Sequence, residues 1–265
     1  MKSAPPTARV VLVPIDASPQ SMAALETAAI VASRLNAELR GMYVEDIDLL
    51  RTAELPFASV INSSGQSQPL TSESMQRQLR RQAELARNAV EAASARSHIS
   101  WSFSVVRGTV HREIARAASG ADFVALGRSG WSPKAMGELG SVVRTLVKAA
   151  NNSLLMAGEG GIRAPLAVIY DGSPSSDRAL ILAEALNGNG PWPIVVLLTG
   201  ESSGLLKSKT NDALFEIIVT NPSGLAGSID RSGAKTVFMP AVIPAMSAHT
   251  DRILNRRDIS VFLMK

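Results

Sequence analysis

Several residue types are absent or scarce in this chain of 265 residues, and each shortage excludes a class of protein. There is no cysteine, so neither a disulfide framework nor a thiolate metal site or nucleophile can form. The three histidines show no ligand spacing, which argues against a histidine metal site. Aromatic residues make up only 4%, and the basic residues form no block, so nucleic acid is not an expected partner.

Long apolar runs are also missing. No segment approaches the roughly 18 apolar residues of a membrane-spanning helix, and the first residues lack the apolar core of a signal peptide. We therefore expect a cytoplasmic protein without membrane insertion. The 46% of apolar and 19% of charged residues are typical of a globular chain, and the length allows one large domain or two small ones.

Short apolar runs alternate with helix-like segments in the first part of the chain. The expected strands are 9–15, 38–44, 100–106, 122–126 and 153–157, and the expected helices are 19–35, 72–97, 110–119 and 141–150. This alternation predicts βαβ units and a parallel sheet. Residues 46–74 lack periodicity, so we expect a mobile loop there, which serves either as a linker or as a lid or partner contact.

The chain also repeats itself. Asp16–Pro19 follows one apolar run and Asp171–Pro174 follows another, each with a serine and a proline that predict the start of a helix. Further along, Gly120–Gly127 aligns without a gap with Gly233–Pro240. The repeat predicts two copies of one fold. The expected domains are 1–158 and a shorter one at 163–265.

A set of spaced glycines is the most informative motif of the chain. Gly127 and Gly130 are followed by Gly140-Ser141, with the apolar run Phe123–Leu126 before them and the helix-like run Val142–Val147 after them. Glycines let the backbone approach a ligand closely, and the free N–H groups of a helix start attract an anion. Strand, loop and helix together predict a phosphate cradle. The motif differs from a P-loop because no Gly-Lys-Ser/Thr follows, so it gives no positive sign of fast phosphoryl transfer.

Ligands of parallel sheets bind beyond the carboxyl ends of the strands, where Asp16 and Gly127 should flank one crevice. Asp16 either accepts hydrogen bonds from the ligand or caps the following helix. Pro14 and Ile15 would line one side of the ligand, and Val44 the other. Arg128 either reaches the phosphates or points to water.

The spacing Gly-x2-Gly-x9-Gly-Ser resembles the ATP-binding signature of the universal stress protein family. Val10–Ser18 is similar to that family's first strand and adenine-side aspartate, and His111–Asp122 is similar to the helix and turn before its glycine loop. The resemblance is good over about residues 8–158 and weaker in the second copy. It implies an α/β fold of two tandem Rossmann-like (adenine nucleotide α-hydrolase-like) domains, each with a five-stranded parallel sheet of order 3-2-1-4-5.

The resemblance also implies a function. It points to ATP, alone or with Mg²⁺, as the ligand of the first domain, and to stress-response signalling through an unidentified protein partner. A slow ATP hydrolase or phosphotransferase and a nucleotide-independent interaction module are the alternatives. The expected nucleotide-binding residues are Pro14, Ile15, Asp16, Ala17, Val44, Leu126, Gly127, Arg128, Gly130, Gly140, Ser141 and Val142.

Two further expectations concern the second copy. Gly127 corresponds to Pro240, which has no N–H to donate, and Gly130 corresponds to Ile243, whose branched side chain resists positive φ. We therefore expect no ATP in the second domain. Because family members commonly pair through their last strands, residues 152–157 should pair with 259–264, either within one chain or between the chains of a homodimer.

Overall fold

The computed structural model describes residues 10–61, 65–128, 141–149, 152–188, 190, 192–199, 215–241 and 248–265. Within these ranges the chain forms twelve β-strands, eight α-helices and one turn of 3-10 helix. The first half contains the strands β1 (Val10–Pro14), β2 (Glu38–Asp46), β3 (Ser59–Ile61), β4 (Ser67–Pro69), β5 (Trp101–Gly108), β6 (Phe123–Leu126) and β7 (Ser153–Met156). Its helices are α1 (Pro19–Leu35), α2 (Ile47–Ala53), α3 (Ser72–Ser97), α4 (Val110–Ala118) and α5 (Ser141–Ala149).

The second half repeats this arrangement in a shorter form. Its strands are β8 (Leu166–Tyr170), β9 (Ile194–Thr199), β10 (Phe215–Thr220), β11 (Thr236–Pro240) and β12 (Ser260–Met264). Its helices are α6 (Pro174–Asn187), α7 (Leu225–Ser232) and α8 (Ala248–Leu254), with the 3-10 turn at Pro222–Gly224.

Ten of the strands form one sheet, in the order β10-β9-β8-β11-β12-β7-β6-β1-β2-β5. Counted within each half, both halves have the expected order 3-2-1-4-5. Neighbouring strands are parallel within each half, and the pair β7 and β12 is antiparallel. The predicted α/β class and strand order are therefore confirmed.

The two halves join through their last strands inside the chain. Met156, Leu155 and Leu154 pair with Val261, Phe262 and Leu263, so the structure has the intrachain form of the expected pairing. The Phe262 ring stacks on Phe238 at 4.6 Å and meets Phe123 edge-on at 6.3 Å. Because one buried cluster contains residues of both halves, the halves do not have separate cores. The exact domain limits remain a prediction.

Helices cover both faces of the sheet, as a parallel sheet requires. Apolar side chains of α1, α3 and α6 pack on one face, and those of α4, α5, α7 and α8 pack on the other. We call these the α1 face and the α5 face. None of the helices in the described parts of the chain is long and apolar enough to cross a membrane.

The stretch after β2, where we expect a mobile loop, contains regular secondary structure. This stretch contains α2, whose Asp46 cap accepts the N–H of Asp48 at 3.0 Å, and an antiparallel hairpin of β3 and β4. Leu50 and Ala53 are the buried residues of α2, too few for a periodic pattern. Phe57 between these elements is 82% exposed. Whether the segment is a linker, a lid or a partner contact remains a prediction.

Candidate functional site

The carboxyl ends of β1, β2 and β6 meet at one edge of the sheet. Val11 and Leu12 of β1 pair with Phe123 and Val124 of β6, and the same register continued places Pro14 beside Leu126. On the other side of β1, the N–H of Ile15 donates to the carbonyl of Met42 at 2.8 Å. The ends of β1 and β6, which Asp16 and Gly127 follow, are therefore neighbours at this edge, and a crevice between them remains a prediction.

Four of the predicted site residues belong to the α5 face at or near this edge, and we call them the apolar wall: Pro14, Val44, Leu126 and Val142. Val44, Leu126 and Val142 belong to the cluster on the α5 face, and Pro14 shares this face with Leu12 because strand side chains alternate. Pro14, Val44 and Val142 are only half-buried. The wall can therefore offer apolar surface to a flat ring.

Ile15 differs from these four residues. Its side chain is buried in the cluster on the α1 face, so it is not part of the apolar wall, and its contact with an adenine remains a prediction. Ala17 follows in the left-handed region with φ 59°, as does its counterpart Gly172 with φ 81°. The turn into the following helix is thus the same in both halves.

Asp16 has a structural task in this turn. One of its carboxylate oxygens, Oδ1, accepts the N–H of Ser18 at 2.9 Å, and Asp171 accepts that of Ser173 in the same way at 3.0 Å. The capping alternative is therefore present in both halves, including the half that lacks the glycine motif. A carboxylate has about four acceptor positions, so this bond does not exclude a contact with a ligand.

The charges at the end of β2 are partly balanced by an ion pair. Burial, together with the nearby charges of Glu45, Asp16 and Asp46, raises the pKa of Tyr43 to about 12. The Tyr43 hydroxyl donates to Gln82 Oε1 at 2.8 Å, which holds the ring in place. Arg107 donates to Glu45 Oε2 through Nε at 2.9 Å and Nη2 at 2.8 Å, so the charge of Glu45 is partly neutralised.

Gly127 is required by close packing. A Cβ atom at this position would lie 2.8 Å from both the main-chain carbon and oxygen of Gln20 in the first turn of α1. Such a contact is not tolerated without a backbone shift, so glycine allows the end of β6 to rest against α1. This explains Gly127 without a ligand, and its role in nucleotide binding remains a prediction.

The Arg128 side chain turns away from the crevice. It is 6% exposed, its Nη2 donates to the carbonyl of Ile259 at 2.8 Å, and its Nη1 donates to that of Leu254. Burial lowers the pKa of Arg128 to about 10, so the guanidinium remains charged at neutral pH. The expectation that it reaches phosphate or water does not agree with this geometry, since the side chain lies between the two halves.

The rest of the predicted cradle cannot be placed. Gly130 and Gly140 lie outside the described residues, and so does the side chain of Ser141, although α5 begins at Ser141 as expected. Within the described ranges, no group of three or more acidic or histidine side chains could hold a metal ion. His98 caps the end of α3 with φ 52°, which agrees with a structural role.

A cavity of about 290 Å³ lies beside Arg128, bounded by the first turn of α1 and by Gly158, Glu159 and Arg257. No local pattern could have revealed it, because its lining comes from segments that are far apart in the chain.

Comparison with known proteins follows the same division of the chain. The model of the universal stress protein family matches residues 7–158, which is more than half of the chain. This chain belongs to the universal stress protein family. Its fold is similar over 97% of its length to a universal stress protein from Archaeoglobus fulgidus DSM 4304, with 16% identity, a TM-score of 0.72 and 98% of that chain covered.

A functionally unknown protein from Pseudomonas aeruginosa PAO1 is also similar, with 13% identity, a TM-score of 0.63 and coverage of 97% of this chain and 92% of that one. At these identities the likeness concerns the fold. A comparison with curated proteins finds no match.

In this universal stress protein the second half ends its fourth strand differently. Pro240 pairs with Met264 at the end of β11, and the next N–H, of Ala241, donates to the Met264 carbonyl at 2.7 Å. That N–H is therefore used inside the sheet. Ile243 lies outside the described residues, so the prediction of an inactive second crevice remains a prediction, supported at Pro240.

Proposed function

We propose that this universal stress protein binds one ATP molecule in its first half, at the edge formed by β1, β2 and β6, and acts as a regulator in the stress response. The observation that carries the proposal is the apolar wall beside the Asp16 carboxylate, at the carboxyl edge where the glycine motif begins. An apolar surface with a few polar groups at one side is the usual form of a site for a small molecule.

The position of Asp16 and of the glycine motif suggests one orientation of the nucleotide. The adenine ring would lie on the apolar wall, and the hydroxyl or amino groups of adenosine would face the Asp16 carboxylate. The phosphates would extend towards the glycine motif and the N-terminus of α5. Free N–H groups and the helix dipole attract an anion there. A Mg²⁺ ion would be held mainly by the phosphates and water.

A regulatory role is favoured over fast catalysis. The motif lacks the lysine of a P-loop, and the Arg128 guanidinium is bound to carbonyls of the second half. Groups that hold phosphate equally well before and during transfer do not accelerate the reaction. The protein partner and the cytoplasmic location remain predictions from the sequence.

Isothermal titration with ATP tests this proposal through a matched pair of variants. Val44 and Val106 are direct neighbours on β2 and β5, both half-buried against the cluster on the α5 face, but only Val44 adjoins β1. Val44→Trp should lower the ATP affinity at least tenfold, about 1.4 kcal/mol, because the larger side chain fills the space over the wall. Val106→Trp should change it less than twofold.

Circular dichroism should show that both variants keep the native fold. Failure of the unaltered protein to bind ATP would contradict the proposal. Equal losses of affinity in the two variants would also contradict it, because the site would then not lie at Val44.

A further inference from the structure

Arg128 connects the beginning of the glycine motif to the other half of the molecule. It follows Gly127, whose backbone rests on Gln20 of α1, and its guanidinium donates to Leu254 and Ile259 of the second half. The main chain is therefore fixed on one side by the first half and on the other side by the second half. The glycine motif continues from this point.

One of the two acceptors of Arg128 belongs to a helix end, and the other, Ile259, directly precedes β12. Leu254 is the last residue of α8, and the last carbonyls of a helix have no partner within it. A buried cation that donates to such a carbonyl also interacts favourably with the helix dipole. The contact is thus strong enough to hold the main chain at Arg128 as well as the end of α8.

The second half has a different residue at the equivalent position. The repeat alignment places Ala241 at the position of Arg128, and an alanine cannot reach across. Lys265 of the second half donates through its Nζ to the carbonyl of Val147 at 3.1 Å, at α5 and beyond the glycine motif. Among the residues that the structure describes, the side chain that joins the beginning of the motif to the opposite half is therefore that of Arg128.

We propose that Arg128 is a positioning residue through which the second half orders the beginning of the glycine motif, so that the ATP affinity of the first half depends on the second. The proposal rests on the ATP-binding function proposed above. In this proposal the second half, which lacks the glycine motif, supplies the carbonyl groups that hold the Arg128 side chain in place. ATP binding and the contact between the two halves are then thermodynamically coupled: the contact raises the ATP affinity, and bound ATP stabilises the contact.

Arg34 provides the matched control. It also crosses between the halves, since its Nη1 donates to the carbonyl of Leu186 and its guanidinium lies 4.5 Å from the centre of the Trp192 ring. It belongs to the last turn of α1, whereas Gly127 contacts the first turn. Loss of Arg34 should therefore weaken the junction without a direct effect on the glycine motif.

The experiment is ATP titration of the unaltered protein, Arg128→Met, Arg128→Lys and Arg34→Met, with the thermal midpoint of each. We expect lower midpoints for both methionine variants. The ATP affinity should fall fivefold or more in Arg128→Met and less in Arg128→Lys, which keeps a donor, and it should stay within twofold in Arg34→Met. A purely structural role of Arg128 would lower its midpoint and leave its affinity equal to that of Arg34→Met, which would overturn the proposal.

Hydrogen exchange of the unaltered protein decides the question if Arg128→Met does not fold. ATP should slow amide exchange in residues 255–261 of the second half but not in α7, which has no part in the contact. Binding of ATP without this protection would overturn the coupling while the proposed function stands. Absence of ATP binding in the unaltered protein would overturn both.

Discussion

Replacement of Gly158 by alanine tests how closely the two halves are joined. A Cβ atom at Gly158 would lie 2.4 Å from the main-chain carbon of Ile259 and 2.5 Å from its oxygen. These atoms belong to the backbone just before β12, so no side-chain rotation can relieve the contact. The Gly158 N–H also donates to Ser260 Oγ at 3.0 Å. Gly158→Ala must therefore push β12 away from the end of β7.

The expected cost follows from two effects. Overpacking in a closely packed region costs about 1–3 kcal/mol, and loss of one buried hydrogen bond costs about 0.5–1.5 kcal/mol more. Together they lower the free energy of unfolding by about 1.5–4.5 kcal/mol, a large part of the stability of an ordinary domain. Urea unfolding, followed by circular dichroism, measures this difference.

Gly120→Ala is the control for this experiment. A Cβ atom there would meet only Ala117 O and Arg40 Nη1, both at 3.8 Å, so the free energy of unfolding should change by no more than about 0.5 kcal/mol. If Gly158→Ala were as stable as Gly120→Ala, the close contact between the halves would be refuted, and the account of Arg128 would lose its fixed support.

Four further predictions address the site, the caps and the surface charges. ATP should bind with a stoichiometry of one per chain in calorimetry, and two equivalent sites would contradict the account of Pro240. Phosphate release from γ-labelled ATP should be slower than about 1 per second, the lower end of common enzyme rates, and several per second would make the protein an enzyme. Ser18→Ala and Ser173→Ala should each lower the free energy of unfolding by about 1 kcal/mol, because each hydroxyl oxygen accepts a helix N–H at a donor–acceptor distance of 3.2 Å. Unequal losses in urea unfolding would argue against equivalent turns. The hydrogen bond from Arg256 lowers the pKa of Asp258. This pair should therefore stabilise the fold above the ordinary pKa of aspartate, about 3.9, and lose its effect as the pH falls through the lower native pKa. Asp258→Asn should reduce the dependence of the unfolding midpoint on pH in that range, and an unchanged dependence would show that the pair contributes nothing.

Features that depend on neighbours in the sequence could be predicted well. The serine-proline starts of α1 and α6 are local signals, and both serines cap as expected. The strand order came from a resemblance that also rests on short motifs. The short helix α2 was missed because its seven residues bury only Leu50 and Ala53, so no repeating apolar pattern exists to be recognised.

The direction of Arg128 could not be predicted for a different reason. Its two acceptors are 126 and 131 residues away in the sequence, and no local pattern distinguishes an arginine that faces phosphate from one that faces a carbonyl. Asp16 presents the same difficulty: the carboxylate that caps a helix and the carboxylate that binds a ribose have the same sequence context. The same bond occurs at Asp171, in the half that lacks the glycine motif.

The antiparallel pairing of β7 and β12 inside a single chain has a consequence for how the protein can change over evolutionary time. In a symmetric homodimer, every substitution at the interface appears on both sides at once, because each residue of one subunit meets its counterpart surface on the other. A covalently joined pair is free of this constraint. An arginine can be present at position 128 while position 241 stays an alanine, a mismatch that identical subunits cannot hold. One half can then be selected for what it binds and the other for the surface it provides.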